Sequence, residues 1–145
     1  MALDLKQFKQ KANGKSAFEP TDKFRGDFSA TLIACNEVAQ TPEEAEKKIQ
    51  RYVLHLRRTG VTDKMVYHWF RFSYGDDDAI QRSTKFVVRL ARDIQASAGK
   101  KVDDSEITAS EAIDIINSLV NSTVSVNQHI KDGAESALEC SFLSA

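Results

Sequence analysis

Three helix-start signals constrain this chain more tightly than any other feature of it. Thr41-Pro42-Glu43-Glu44 joins an N-cap threonine, a proline at the first helical position and a glutamate three residues on, the reciprocal capping box. Asp76-Asp77-Asp78 supplies a cap and acidic residues for a first turn, and Thr108 with Glu111 repeats the capping box. Apolar residues follow each signal at helical spacing: Ala45, Ile49, Tyr52, Val53 and Leu56, then Ile80, Thr84, Val87, Ala91 and Ile94, then Ala112, Ile116, Leu119, Thr123, Val126 and Ile130. Gly60, Gly99 and Gly133 stand where these helices should stop. The β-branched alternation of STVSVN leaves a strand open for the second half of the third. Weaker helical patterns occur at Leu5, Phe8 and Ala12, at Phe28, Leu32, Cys35 and Ala39, and in AESALECSFL. The expectation is an all-α fold, a compact bundle of five to six helices in a single domain over 1–145. Its parts are N-terminal helices in 1–40, a basic segment at 42–98, and acidic helices at 108–145 suited to oligomerisation.

Composition narrows the class. A chain of 145 residues with 41% hydrophobic and 28% charged residues can bury about 70% of its unfolded surface in one core. No apolar stretch approaches the roughly 18 to 20 residues of a membrane span, and MALDLKQFKQK carries charge where a secretory signal needs an apolar core. A cytoplasmic protein without membrane contact is expected. Cys35 and Cys140 lack CxxC spacing and neighbouring histidines, which suits two reduced thiols. His55, His68 and His129 have no metal-ligand spacing. NGKS lacks the upstream glycine of a phosphate-binding loop. The expectation is therefore a non-enzyme with no cofactor and no metal.

Aromatic residues make up 8% of the chain, yet Tyr67, Trp69, Phe70, Phe72 and Tyr74 crowd into MVYHWFRFSYG. Taken alone, this stretch has the propensity of a β-strand. Its left flank, RYVLHLRRTGVTDK, suggests instead two helices joined by a turn at Gly60. Gly60, Val61, Thr62 as cap, Val66 and Trp69 then make residues 45–72 resemble the helix-turn-helix of DNA-binding proteins, of the regulator type or of the small DNA-packaging subunits of phages. The chain departs from that pattern at Leu56, where a small residue is usual, and at Thr59, where an apolar one is. The resemblance implies a helix pair at about 42–72, a core of Val66, Trp69 and Phe70, and a recognition face of Thr62, Lys64, Tyr67, His68 and Arg71. A helix hairpin with no nucleic-acid role and a strand both stay open.

Charge gives the second clue. Lys47 to Arg92 holds eleven Lys and Arg against four Asp, a balance of +7 in a chain of net charge −1, so the remainder carries −8. Arg82, Lys85, Arg89 and Arg92 recur every three or four residues, as a stripe of backbone-contacting cations would. A solvated helix face explains that stripe as well. Asp103 to Ala145 holds eight acidic residues and one Lys, and Asn117, Asn121 and Gln128 would give its helix an uncharged polar face fit for a subunit contact. The leading expectation is a small non-catalytic nucleic-acid-binding protein, duplex DNA favoured, acting as a homo-oligomer or within a larger assembly. The alternative is a protein–protein interaction subunit anchored by the aromatic stretch.

Overall fold

The computed structural model describes residues 24–60, 65–130 and 138–144. Along them run β1 (Gly26–Val38), α1 (Pro42–Lys47), β2 (Ile49–Arg58), β3 (Met65–Ser73), α2 (Asp77–Ser97), α3 (Ala109–Ser118), β4 (Thr123–Ile130) and β5 (Leu138–Leu143). All neighbouring strands are antiparallel, in the order β3-β2-β1-β4-β5. The all-α expectation is overturned: this is a mixed α/β fold built on a five-stranded sheet. The helix expected near Leu5 to Ala12 lies outside the described residues.

All three helix starts are where the sequence puts them. Thr41 and Glu44 close the capping box, with Thr41 Oγ1 accepting from the Glu44 amide at 3.1 Å and Glu44 Oε1 from the Thr41 amide at 2.9 Å. Asp76 Oδ1 accepts from the Ala79 amide at 2.7 Å, and Thr108 and Glu111 form the second box at 3.1 and 2.8 Å. Losing such a cap leaves an amide of the first turn unsatisfied. Thr108→Ala is expected to lower stability by about 1 kcal/mol, read as a shift in urea midpoint, with Thr108→Ser recovering most of it.

α2 runs its expected length to Ser97, ahead of Gly99, but the other two helices are shorter than expected, and each difference has a local cause. Lys48 turns to φ 59° and ends α1 after six residues, so Ile49, Tyr52, Val53 and Leu56 belong to a strand. Tyr52, Leu54 and Leu56 point to one face of β2, while Arg51, His55 and Arg57 point to the other. In β1 a bulge between Leu32 and Ala34 inserts one residue, so Ala30, Leu32 and Cys35 all face inward. The spacing from Phe28 to Leu32 to Cys35, four and then three, copies a helix for that reason. Downstream, Asn121 adopts φ 78°, its amide donates to Leu32 O at 2.7 Å, and the Ser122 carbonyl accepts from the Leu32 amide at 3.0 Å. That turn stops the third helix, and the β-branched stretch pairs as β4.

The proposed helix-turn-helix is a strand pair. Thr59 and Gly60 form a turn, Gly60 at φ 82°, between β2 and β3, which pair from Ile49–Ser73 to Arg57–Met65. The expected oligomerisation face also dissolves. Gln128 is buried on β4, with Nε2 donating to Phe24 O at 2.8 Å, while Asn117 ends α3 and Asn121 occupies the turn.

One face of the sheet carries Ala30, Leu32, Cys35, Leu54, Leu56, Val66, Phe70, Val124 and Val126, packed under Val87, Leu90, Ala91 and Ile94 of α2, Ala112 and Ile116 of α3, and Leu119, which caps α3. The sheet curls around this core until its two edge strands approach: the His68 ring on β3 stands edge-on to Phe142 on β5, 6.1 Å between centroids. α2 touches both edges and fills the seam. No helix among the described residues is long and apolar enough to cross a membrane.

Candidate binding groove

Strand alternation distributes the aromatic segment over two faces. Val66, His68, Phe70 and Phe72 lie toward the helices, and Tyr67, Trp69 and Arg71 lie on the opposite, open face of the sheet. Trp69 is 54% exposed and partners Val53 across the strand pair. Phe86 on α2 is 48% exposed and sits beside Phe70, with 6.2 Å between ring centroids. Between β3 and the first turns of α2 the surface opens into a groove of about 530 Å³. Its walls are Arg51 from β2, His68 to Arg71 and Ser73 from β3, Arg82, Ser83 and Phe86 from α2, and Glu139 from β5. That volume falls in the range of small-ligand and short-segment sites.

Each wall has a structural origin. Arg51 is held by Glu44, the residue that closes the α1 capping box: Arg51 Nη2 donates to Glu44 Oε1 at 3.3 Å, and its Nε forms a closer ion pair with Oε2. The backbone amide of Thr41 and then Arg51 keep the Glu44 carboxyl below its ordinary pKa. So fixed, the Arg51 guanidinium lies over the Trp69 ring, 5.6 Å from its centroid. Ser83 ties helix to strand by accepting the Ser73 amide at 2.9 Å. Glu139 closes the far end and pairs with His129 at 3.3 Å. Arg71 and Arg82 have no carboxylate partner among the described residues, whereas Arg51 is paired with Glu44 and Glu139 with His129.

The expected site residues divide. Thr62 and Lys64 lie outside the described residues. Tyr67 is on the open face, its ring edge-to-face with His55 at 5.1 Å, and His55 Nε2 meets the Asn36 side-chain amide at 3.2 Å. His68 points inward and is buried; desolvation pushes its pKa down from 6.5 to about 4, with Glu139 opposing and His129 adding to the fall. Held neutral at pH 7, the ring brings no positive charge to the groove wall that it forms. Of the basic stripe, Arg82 lines the groove, Lys85 is exposed, and Arg89 lines a neighbouring cleft with Asp93, Glu139 and Phe142. Arg92 is engaged by the carbonyl of Ser105. Of the expected residues, Arg71 and Arg82 meet in the groove together with His68, which forms part of its buried wall.

Sequence reasoning missed Arg51, Trp69 and Phe86, and placed Trp69 in the core. The signal that finds Trp69 is the period-two alternation of β3, which puts it on the same side as Arg71 and opposite Phe70. Comparison with protein-family models and with curated proteins finds no match.

Proposed function

We propose that the chain is a non-catalytic binding subunit that works within an assembly and whose working surface is the groove between β3 and α2. The observation that carries this reading is the pairing of two exposed aromatic rings, Trp69 and Phe86, with two carboxylate-free arginines in one cleft. Aromatics and arginine are the residue types that dominate binding energy at interfaces. Beside its cations and rings the groove holds the Ser73 and Ser83 side chains, the latter accepting a backbone amide, the buried neutral His68 ring, and Glu139, which is paired with His129; this suits holding a partner rather than transforming one. Cys35 and Cys140 are buried free thiols, raised to about 11 and about 12 chiefly by desolvation, and they suit a reducing compartment such as the cytoplasm.

Duplex DNA loses its docking element here, because the expected recognition helix is a sheet strand. Single-stranded nucleic acid remains a second reading, favoured by one observation: an exposed tryptophan flanked by arginines on a sheet face is what base stacking with phosphate contact uses. The test is selection of a random peptide library and a random single-stranded oligonucleotide library on the immobilised protein. Enrichment from either that weakens about 30-fold or more in Trp69→Ala and Phe86→Ala is the expected result. Enrichment indifferent to both substitutions would remove the groove from consideration.

A further inference from the structure

β3 is an edge strand, and the direction of its free backbone groups can be read from two hydrogen bonds. The Tyr74 amide donates to Lys48 O at 2.9 Å, toward β2, whereas the Ser73 amide donates to Ser83 Oγ at 2.9 Å, away from β2. Because successive residues of a strand present their N–H and C=O groups to opposite sides, Arg71 and Trp69 share the direction of Ser73. Their amides and carbonyls therefore face the groove, and no strand pairs with β3 on that side among the described residues. An unpaired edge with a helix alongside is a template for one more strand.

We infer that the groove binds an extended acidic–apolar segment of a partner polypeptide, added antiparallel to β3 as a sixth strand. This rests on the groove being the working surface, as proposed above. Residues of the added segment opposite Arg71 and Trp69 point to the open face, and those between them point toward α2. Arg82 lies by Ser83 at the Ser73 end of the groove, and Phe86 lies by Phe70. Each side of the added strand thus meets a cation at the Ser73 end and an aromatic ring at the Trp69 end. Antiparallel addition places the ligand's N-terminal residues at the cationic end. The recognised segment is then four consecutive residues: two acidic, one for Arg82 and the next for Arg71, followed by two apolar, one for Phe86 and the next for Trp69. A polypeptide is favoured over nucleic acid because only a peptide backbone can satisfy the free amides and carbonyls of Trp69 and Arg71.

Trp69 is the sole tryptophan, so its emission reports directly on the groove. The experiment titrates the full chain with capped octapeptides centred on Glu-Glu-Leu-Phe, on the reversed order Phe-Leu-Glu-Glu, and on Lys-Lys-Leu-Phe. A fourth peptide is N-methylated at the second Glu and the Phe, the two amides that would pair with β3, and a thymidine oligonucleotide completes the set. The expected result is saturable binding of the first peptide, about tenfold or more weaker for the reversed, lysine and N-methylated forms. Arg71→Glu and Arg82→Glu, both at exposed positions, should weaken the acidic peptide and strengthen the lysine one. Equal binding of the N-methylated peptide, or a response to the oligonucleotide alone, overturns strand addition while leaving the groove as a binding surface. No response to any probe at about 1 mM overturns the groove reading together with it.

Discussion

Truncation of Leu54 to alanine is expected to destabilise the protein by about 3 kcal/mol, read as a fall in urea midpoint with unchanged slope. Leu54 is fully buried, partnered by Cys35 on β1 and His68 on β3 under the helix layer. Little in the surrounding sheet can collapse into the space its side chain leaves, because both neighbouring strands are held by their own ladders. Trp69→Ala, by contrast, is expected to cost about 0.5 kcal/mol or less, since the ring is exposed and its one cationic partner, Arg51, keeps Glu44. The pair separates the two possible architectures. On an amphipathic helix with its stripe at Ile49, Tyr52, Val53 and Leu56, Leu54 would face solvent and Trp69 the core. A larger loss at Trp69 than at Leu54 would contradict the sheet.

The second large effect is a loss of stability between about pH 6.5 and pH 4, centred on His68. In the folded chain desolvation holds this imidazole near pKa 4, whereas in the unfolded chain it titrates at its ordinary 6.5. The unfolded state therefore binds more protons across that interval, and stability falls as the pH falls through it. Above 6.5 both states carry the neutral ring and the contribution is fully present. A shift of this size corresponds to about 3 kcal/mol by pH 4, at 1.36 kcal/mol per unit. Paired urea melts at pH 7.5 and 4.5 check it, with His68→Leu as the comparison. The variant fills the same inward position on β3 without a titrating group, so its midpoint should move less between the two pH values. An equal drop in both proteins would assign the acid sensitivity elsewhere.

How much of this was legible beforehand depended on whether a residue's role is local. The caps at Thr41, Asp76 and Thr108 were readable because a cap or capping box involves only four consecutive residues, and all three caps are formed, those at Thr41 and Thr108 as full boxes. The inner face of α2 was readable at Val87, Ala91 and Ile94 for the same reason, although Ile80 proves exposed. β1 and β2 were not read as strands, since a bulge and a two-faced burial each mimic a 3.6-residue period. In β1 the extra residue between Leu32 and Ala34 converts alternation into helical spacing. In β2, Val53 is buried on the face opposite Leu54, so apolar residues fall on both sides of the strand and the alternation is masked. The strand propensity of Met65–Ser73 was visible and stayed open as an alternative, although the flank RYVLHLRRTGVTDK favoured a helix pair over it.

The candidate site shows the same division. Arg71 and Arg82 were both named as binding residues, but from separate arguments, one a recognition helix and the other a cationic stripe. Their meeting in one groove follows from the antiparallel return of α2 alongside β3, locked by the Ser73–Ser83 hydrogen bond. His68 was named for its chemistry, and strand parity turns it toward the core, where it forms a buried part of the groove wall. Glu139 could not have been placed at all, because it arrives only when the curled sheet brings β5 back to β3.

By itself, then, the sequence determined where helices begin, which stretch concentrates aromatic surface, and how charge divides along the chain. These are properties of neighbours, fixed by a few bonds or by simple counting. The tertiary structure alone decided which side of each strand faces water, because a single inserted residue reverses that choice and only pairing with another strand reveals it. It also decided that, among the described residues, an edge of the sheet stays unpaired next to two arginines and two rings, since an edge exists only once the order of the strands is known.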